Sequence, residues 1–394
     1  MKRFLLITII FCMIFANSTS FASIGYENKS KAYLLADFDT GEILASYNVD
    51  EQLEIASISK LLSYYVAMDA VKEGRVSLSD KVVIGEDAVQ LTGSSYKLKV
   101  GELITLDKLM KASIIISGND ATYAMAKHIA GTETKFVDLM KAKAKELNLS
   151  NVDLYNSSGL PLTNNGIQNK MTTRDVYKIA RGLLKTHPEV LEISRIPFIS
   201  EPSRKFFEMN TNPLLKVVEE VSGLKTGSTL KAGYCFVSSV NIKGQPRRTE
   251  DLRLIGIVMG SRNYEDRLQV SKALVDYGRE NYSNKIILHN ELPIEKLEFS
   301  NGNPKSIDLY PVKGFTKLVS KDSDVKVNID LVEATLPLKN NTNLGKVRVY
   351  ENGVEVFSTS LINKRGVEEA DLVTKVLQFY GTLYKNAEAI YKID

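Results

Sequence analysis

The segment Ala56–Leu62 constrains the fold most, because it places a serine and a lysine three residues apart at the start of an apolar helical pattern. Positions i and i+3 lie on one face of a helix, so Lys60 can reach the Ser57 hydroxyl. Gly74 supplies a stop signal for this helix. Apolar residues recur at helical spacing at Leu61, Tyr64, Tyr65, Met68 and Val71, so we expect a helix here.

A serine and a lysine in this arrangement can serve as nucleophile and base. Lys60 accepts a proton only if its pKa is lowered, and the positive end of the helix dipole disfavours a charged amine in the first turn. The alternative is an exposed helix-start serine followed by a solvated lysine, since Ser-x-x-Lys alone is a weak signal. The rest of the chain decides between these interpretations.

The N-terminus has the pattern of a secretory signal peptide. A basic start precedes the apolar run Phe4–Ala16, and small residues at Ser20 and Ala22 predict cleavage after about Ala22. The run is too short for a comfortable membrane span. We therefore expect residues 1–22 to be removed and the protein to be exported. Cys235 is then the only cysteine, so the hydrophobic cores must stabilise the fold without an internal disulfide.

Composition excludes several classes of function. The net charge of +4 is small for 394 residues, which argues against nucleic acid as a partner. None of the three histidines, His128, His187 and His289, neighbours a candidate nucleophile, so a Ser-His-Asp triad would need distant contacts. No His-Glu-x-x-His motif or cysteine cluster is present to bind a metal, and we expect no cofactor.

Two further polar segments interrupt apolar elements. Ser117-Gly118-Asn119 separates two helical patterns, where it could form a simple helix cap or point side chains into a cleft. Lys225-Thr226-Gly227 precedes strand patterns, where it could be a polar strand end or an edge strand that a ligand approaches at glycine. The surrounding periodicity predicts helices at 103–116, 121–130, 135–147 and 172–185, and strands within 31–48, 232–240 and 252–259.

In this order, the three motifs resemble those of the penicillin-recognising serine acyl-enzymes. They are separated by about 60 and about 106 residues. Within that group the chain is similar to the low-molecular-mass D-alanyl-D-alanine carboxypeptidases, over about residues 30 to 285 and more weakly beyond. Further matching positions are Gly41-Glu42, Asn156, Gly159-Leu160, Thr173-Arg174-Asp175, Ala232-Gly233-Tyr234, Met259-Gly260 and Arg267.

The resemblance implies an α+β fold with a catalytic domain of the serine β-lactamase and DD-peptidase type, in which an antiparallel sheet with helices is joined to a helical subdomain. It also implies that Ser57 attacks the carbonyl between the two terminal D-alanines of a peptidoglycan stem peptide. Lys60 would accept the proton, its charge disfavoured by Lys225. The backbone N–H groups of Ser57 and Ser228 would hold the oxyanion. Ser228 departs from some relatives, which carry histidine there.

The resemblance assigns the remaining motif residues to the substrate. Ser117 would pass a proton to the leaving amine, and Asn119 would orient the substrate amide. Thr226 and Arg267 would bind the terminal carboxylate, for which a guanidinium fork is well shaped, and Gly227 would line the substrate strand. β-Lactam antibiotics would acylate the same serine.

Two alternatives stay open. A class A β-lactamase would carry a Glu-x-x-Leu-Asn segment, but Ala144 stands where that glutamate belongs before Leu147-Asn148. A non-catalytic cell-wall-binding protein of the same fold would not need the complete set of motif residues that this chain carries.

The C-terminal third has a different pattern. Alternating residues and the hairpin signal Asn352-Gly353 predict a small all-β domain, resembling the β-sandwich of many of these carboxypeptidases. It could be a spacer or a module that touches the cell wall. The predicted division is a signal peptide at 1–22, a catalytic domain at 23–285, a β domain at 286–365 and a helix at 366–394.

The last segment has the pattern of an amphipathic helix with lysines. Such a helix could bind a membrane surface or dock on its own domain. Because members of the resembling family end in a membrane-attaching helix, we expect peripheral attachment to the outer face of the cytoplasmic membrane. The predicted apolar stripe comprises Leu372, Val376, Phe379, Tyr380, Leu383, Ala387 and Ile390.

Overall fold

The structure, a computed structural model, describes residues 22–162 and 166–391, so the predicted signal peptide lies outside the described residues except for Ala22. Side chains of the last helix are described as far as Tyr384. The helices are α1 Ser59–Lys72, α2 Glu86–Val89, α3 Leu106–Ile115, α4 Asn119–Ala130, α5 Glu133–Glu146, α6 Thr173–Thr186, α7 Val190–Ser194, α8 Tyr264–Asn281 and α9 Leu372–Tyr391.

A five-stranded antiparallel sheet in the order β10-β11-β13-β1-β2 organises the N-terminal two thirds of the described chain. Strand β10, which carries Lys225-Thr226-Gly227, forms one edge of this sheet, so the edge strand is the correct one of the two alternatives that the sequence leaves open. The strands of this part are β1 Ala32–Asp37, β2 Ile43–Tyr47, β3 Gln52–Glu54, β4 Lys81–Val83, β5 Leu103–Thr105, β6 Val152–Asp153, β7 Lys170–Thr172, β8 Phe198–Glu201, β9 Phe206–Met209, β10 Val221–Thr229, β11 Gly233–Ile242, β12 Thr249–Glu250 and β13 Leu252–Ser261.

Strand β1, an interior strand of this sheet, is buried on both faces. Because strand side chains alternate between faces, Leu34 packs into one core and Leu35 into another. The first core also holds Leu61 of α1, and the second holds Leu274 of α8. The sheet is therefore covered by helices on both sides, which explains why β1 is an almost uninterrupted apolar run.

The predicted helix is present as α1, and eleven of its fourteen residues are buried, including positions between the recurring apolar ones. It packs against α3, α4, α5 and α6, which enclose it on several sides. The polar side chains Ser59, Lys60 and Ser63 are fully buried as well. The alternative of a solvated lysine is therefore wrong.

Strand pairing and helix capping determine where helices α3 and α6 begin. The helix predicted from residue 103 begins at Leu106, because Leu103–Thr105 pairs with Lys81–Val83 as a strand. Thr105 then caps α3 by accepting from the Lys108 N–H. At α6 the Thr172 side chain caps the helix in the same way, since it accepts from the Asp175 N–H.

The C-terminal part is rich in strands, and its largest sheet has the order β15-β17-β21-β20-β19. Asn352 and Gly353 have φ angles of 52° and 83° and form the predicted tight hairpin between β20 and β21. The strands are β14 Tyr282–Leu288, β15 Glu295–Glu298, β16 Gly302–Asn303, β17 Ser306–Pro311, β18 Phe315–Ser320, β19 Val325–Leu331, β20 Asn343–Glu351, β21 Val354–Asn363 and β22 Glu368–Glu369.

Helix α9 follows this part and contacts it at few points. The Gln378 side chain donates to the Gly302 carbonyl at 3.0 Å. Within the described part of the chain, no helix is long and apolar enough to cross a membrane. Many large apolar side chains of α9 are exposed, namely Leu372, Val373, Val376, Leu377, Phe379, Tyr380, Leu383 and Tyr384.

Candidate active site

A strained turn presents Ser57. Ala56–Ile58 forms a 3-10 turn directly before α1, and Ala56 has a φ of +47° although it is not glycine. Such a conformation costs on the order of 1–3 kcal/mol and persists only where neighbouring contacts impose it. The Ser59 hydroxyl donates to the Ala56 carbonyl at 2.8 Å and helps to hold the turn.

The Lys60 amine lies against three oxygen atoms. Its Nζ is 2.8 Å from Ser57 Oγ, 2.7 Å from Asn119 Oδ1 and 2.9 Å from the Ser158 carbonyl oxygen. The amide and carbonyl oxygens can only accept, and a neutral amine has two N–H groups and one lone pair. With both N–H groups donated to these acceptors, the lone pair is left for the Ser57 hydroxyl. The geometry is that of a base facing its nucleophile.

Burial disfavours the charged form of this amine. The pKa of Lys60 is lowered well below its ordinary value, first by burial and second by the nearby positive charge of Lys225. Burial also lowers the pKa of Lys225 to about 7, with a further contribution from Arg267. The Asp120 carboxylate opposes this lowering of the Lys60 pKa, but none of the three close contacts of Lys60 is a carboxylate.

The Ser117–Asn119 segment enters the site between α3 and α4. Ser117 has a φ of +63°, which turns the chain between the two helices. Asn119 begins α4, and its Nδ2 donates to the Thr92 carbonyl at 2.7 Å while its Oδ1 accepts from Lys60. The segment is therefore more than a helix cap. Asn119 also orients Lys60, a role that the sequence did not indicate.

Strand β10 brings the third motif to the nucleophile. A Cβ at Gly227 would lie 3.0 Å from the Ser57 nitrogen, so a side chain here would crowd the turn that carries the nucleophile. The Lys225 amine donates to the Thr226 carbonyl at 3.0 Å. The Thr226 hydroxyl bonds Thr211 Oγ1 at 2.6 Å, a neighbour that no sequence motif indicates.

Arg267 of α8 is a buried cation aimed at the same place. Its guanidinium lies between two rings, 5.5 Å from the centre of Tyr234 and 5.1 Å from that of Tyr264. Among the described residues its guanidinium makes one hydrogen bond, a long one of 3.4 Å to the Cys235 carbonyl, and its Nε has no partner there. An anionic group would therefore find a desolvated guanidinium here.

These groups line a cleft of about 300 Å³. Six predicted residues reach it, whereas Lys60, Asn119 and Lys225 lie buried beside it. A larger cavity of about 730 Å³ near Arg195 and Arg253 contains neither Ser57 nor Lys60. The cleft is lined by Ser57, Ser94, Ser117, Thr211, Thr226, Gly227, Ser228, Tyr234, Tyr264 and Arg267.

The histidines are engaged elsewhere. His187 contacts Asp69 at 2.7 Å, and His128 contacts Asp80 at 3.0 Å. His289 contacts the Arg247 carbonyl at 3.0 Å. The base next to Ser57 is therefore Lys60.

Comparisons with known proteins agree with this geometry. A family model described as D-alanyl-D-alanine carboxypeptidase matches residues 17–263. The chain is 31% identical to D-alanyl-D-alanine carboxypeptidase DacF of Bacillus subtilis over 355 residues, which cover 88% of each protein.

Solved structures confirm the α+β fold of this type. Penicillin binding protein 5 from Haemophilus influenzae is 29% identical with a TM-score of 0.64, covering 86% of this chain and 98% of that one. Penicillin-Binding Protein D2 from Listeria monocytogenes, solved in a cefotaxime-bound form, is 28% identical with a TM-score of 0.56. That likeness covers 64% of this chain and 97% of the other.

The coupling between the two lysines predicts a shift in pH dependence. Lys60 accepts a proton only when neutral, so the rate at which a penicillin acylates Ser57 should fall as pH drops through the pKa of Lys60. Lys225→Gln removes a positive charge that lowers this pKa. The pKa should rise, and the acidic limb of the rate profile should move to higher pH whatever happens to the maximal rate.

The midpoint of the acidic limb is measured by stopped-flow acylation with a fluorescent penicillin. The pH runs from about 4 to about 10, which spans the range in which these groups titrate. Lys225→Arg retains a positive charge and serves as the control, with a midpoint close to that of the native chain. An unchanged midpoint in Lys225→Gln would show that the two amines are not coupled.

Proposed function

The chain belongs to the D-alanyl-D-alanine carboxypeptidase family of serine peptidases, and from that membership we propose how its cleft removes the terminal D-alanine from a peptidoglycan stem peptide. The observation that carries the proposal is the 2.8 Å contact between Lys60 Nζ and Ser57 Oγ, with both N–H groups of the amine donated elsewhere. The protein is a serine-type carboxypeptidase.

Acylation begins at Ser57. Its Oγ bonds to the carbonyl carbon of the penultimate D-alanine while its proton passes to Lys60 Nζ. The backbone N–H groups of Ser57 and Ser228 hold the oxyanion that forms. The carbon–nitrogen bond then breaks, and the leaving amine takes the proton from Lys60 through the Ser117 hydroxyl. Free D-alanine departs, and water hydrolyses the ester.

The substrate carboxylate occupies the other end of the cleft. We assign it to Arg267 and the Thr226 hydroxyl, with Thr211 holding that hydroxyl in place. Gly227 allows the substrate backbone to lie against β10, and the second N–H of Asn119 Nδ2 remains for a substrate carbonyl. A free carboxylate at this position distinguishes a carboxypeptidase substrate from an internal peptide bond.

The β-lactamase and non-catalytic alternatives are less well supported. The family model and the relatives named above are carboxypeptidases. The loop group that contacts Lys60 is the Ser158 carbonyl, which cannot act as a deacylating carboxylate. We infer that β-lactams form a slowly hydrolysed adduct with Ser57, in keeping with the cefotaxime-bound form of the Listeria protein.

Labelling with a fluorescent penicillin tests the nucleophile. Residues 23–394 should gain the mass of one penicillin, and Ser57→Ala should gain none, because the ester cannot form without Oγ. Ser94→Ala, which removes another hydroxyl from the same cleft, should keep the adduct. The native chain should also release D-alanine from a peptide that ends in D-Ala-D-Ala.

Two results would contradict this function. Rapid penicillin turnover without an adduct would indicate a β-lactamase. No adduct, no turnover and no D-alanine release would leave only a binding protein.

For the C-terminal part we propose a spacer and an anchor. The division into residues 23–285, 286–365 and 366–394 separates the catalytic domain from a β domain and a terminal helix. Members of this family generally act outside the cytoplasm, and we propose that this protein lies on the outer face of the cytoplasmic membrane. Support comes from α9, whose apolar side chains, Phe379 and Leu383 among them, are largely exposed.

Liposome binding tests the anchor. The Leu383 side chain is 49% exposed on α9, and Leu331, 43% exposed on β19, offers a matched control. Leu383→Glu should reduce cosedimentation of the mature chain with anionic liposomes, because a carboxylate opposes insertion into an anionic surface. Leu331→Glu adds the same charge and should pellet like the native chain. Equal pelleting of all three proteins would exclude α9 as the anchor.

A further inference from the structure

A buried asparagine outside the three motifs connects the two sides of the active site. Asn169 immediately precedes β7, and its side chain is fully buried. We propose that Asn169 is a positioning residue for the Ser57–Lys60 pair, acting through Ser59 and the loop 155–160. This inference rests on the proposed function and adds a residue to its machinery.

All hydrogen-bonding capacity of the Asn169 amide is used. Its Oδ1 accepts from the backbone N–H groups of Tyr155, at 2.8 Å, and Asn156, at 3.3 Å. Its Nδ2 donates to the Asn156 carbonyl and to Ser59 Oγ, both at 2.9 Å. An amide offers two donors and two acceptor lone pairs, so no other residue type of this size could make the same four bonds.

One end of this connection leads to the base. Asn156 closes the loop by accepting from the Gly159 N–H at 2.7 Å and donating to the Leu160 carbonyl at 2.8 Å. Ser158 lies between Asn156 and Gly159 in this closed loop, and its carbonyl accepts one N–H of Lys60. Asn169 thus fixes the backbone that carries this acceptor.

The other end leads to the nucleophile. Ser59, which accepts from Asn169, donates to the carbonyl of Ala56, the strained residue before Ser57. The loop also lies on this carbonyl, since a Cβ at Gly159 would come within 1.9 Å of it. Through Ser59 and Gly159, the loop and the turn are therefore held as one unit.

Loss of this unit should impair proton transfer and leave substrate binding intact. If the Ser158 carbonyl moves away, one N–H of the neutral amine can turn toward Ser57 and the lone pair away from it. Asn169 does not line the cleft, so it makes no contact with substrate there. The effect should therefore fall on kcat and on the acylation rate, with KM preserved.

Asn169→Ala tests the proposal in the full mature chain. We expect kcat for D-alanine release and the penicillin acylation rate to fall about tenfold or more, with KM within about twofold of native, because a small misplacement of reacting groups is costly. Rates are expressed per folded molecule. The amplitude of penicillin labelling gives the fraction of active protein, and a thermal melt shows that the variant is folded at the assay temperature. Asn363→Ala is the matched control, since Asn363 is also fully buried and makes three hydrogen bonds in the C-terminal part. It should destabilise the protein and leave kcat unchanged.

Ser59→Ala provides a second variant, which removes the hydroxyl that links Asn169 to the Ala56 carbonyl. It should lower kcat in the same direction, by about threefold to tenfold. In the double variant the fold reduction in kcat should be smaller than the product of the two single-variant reductions, because both substitutions interrupt the same connection. The single variant Ser59→Ala keeps the test decisive if Asn169→Ala does not fold.

Native kcat per folded molecule in these variants, or a loss confined to KM, would overturn the positioning role. If the native chain labels on Ser57 and the variants label at the native rate, this inference alone fails. If the native chain does not label, the proposed function fails with it.

Discussion

The rest of the active site depends on keeping the Lys60 amine uncharged inside the protein. A buried ammonium ion without a paired carboxylate is costly, so burial converts lysine from a cation into a base. Two oxygen acceptors, from Asn119 and Ser158, then fix the direction of its lone pair. The same burial requires that α1 be enclosed by other helices, which is why the helix that carries Lys60 is buried on several sides.

The fold supplies each partner from a different element. The edge strand β10 brings Lys225 close enough to oppose a charge on Lys60, and Gly227 lets that strand lie against the Ser57 nitrogen. The turn between α3 and α4 supplies Asn119, and α8 supplies an arginine whose charge is only weakly satisfied by protein groups. Ordinary helix and strand packing therefore assembles a site that contains a neutral base at one end and an anion-binding cation at the other.

The sequence predicts the parts of this site that lie within contiguous motifs. Ser57 and Lys60 are three residues apart on one turn, and alternating or helical periodicity locates the elements around them. It does not predict contacts that depend on tertiary packing. The Ser158 carbonyl is a backbone atom without a residue signature, and Asn169 is distant in sequence from the Ser59 side chain that it contacts. Periodicity also does not predict how completely α1 is buried, because it locates apolar residues and cannot show that polar ones such as Ser63 are buried with them.

The protonation state of Lys60 in the free enzyme tests the account most directly. NMR titration of protein labelled at lysine Cε, with the Lys60 resonance assigned from its absence in Lys60→Ala, gives the pKa of this amine. The account predicts a midpoint well below the ordinary lysine value of 10.5. A midpoint near 10.5 would mean that Lys60 is charged when substrate arrives, and it would contradict a mechanism in which this amine takes the proton from Ser57.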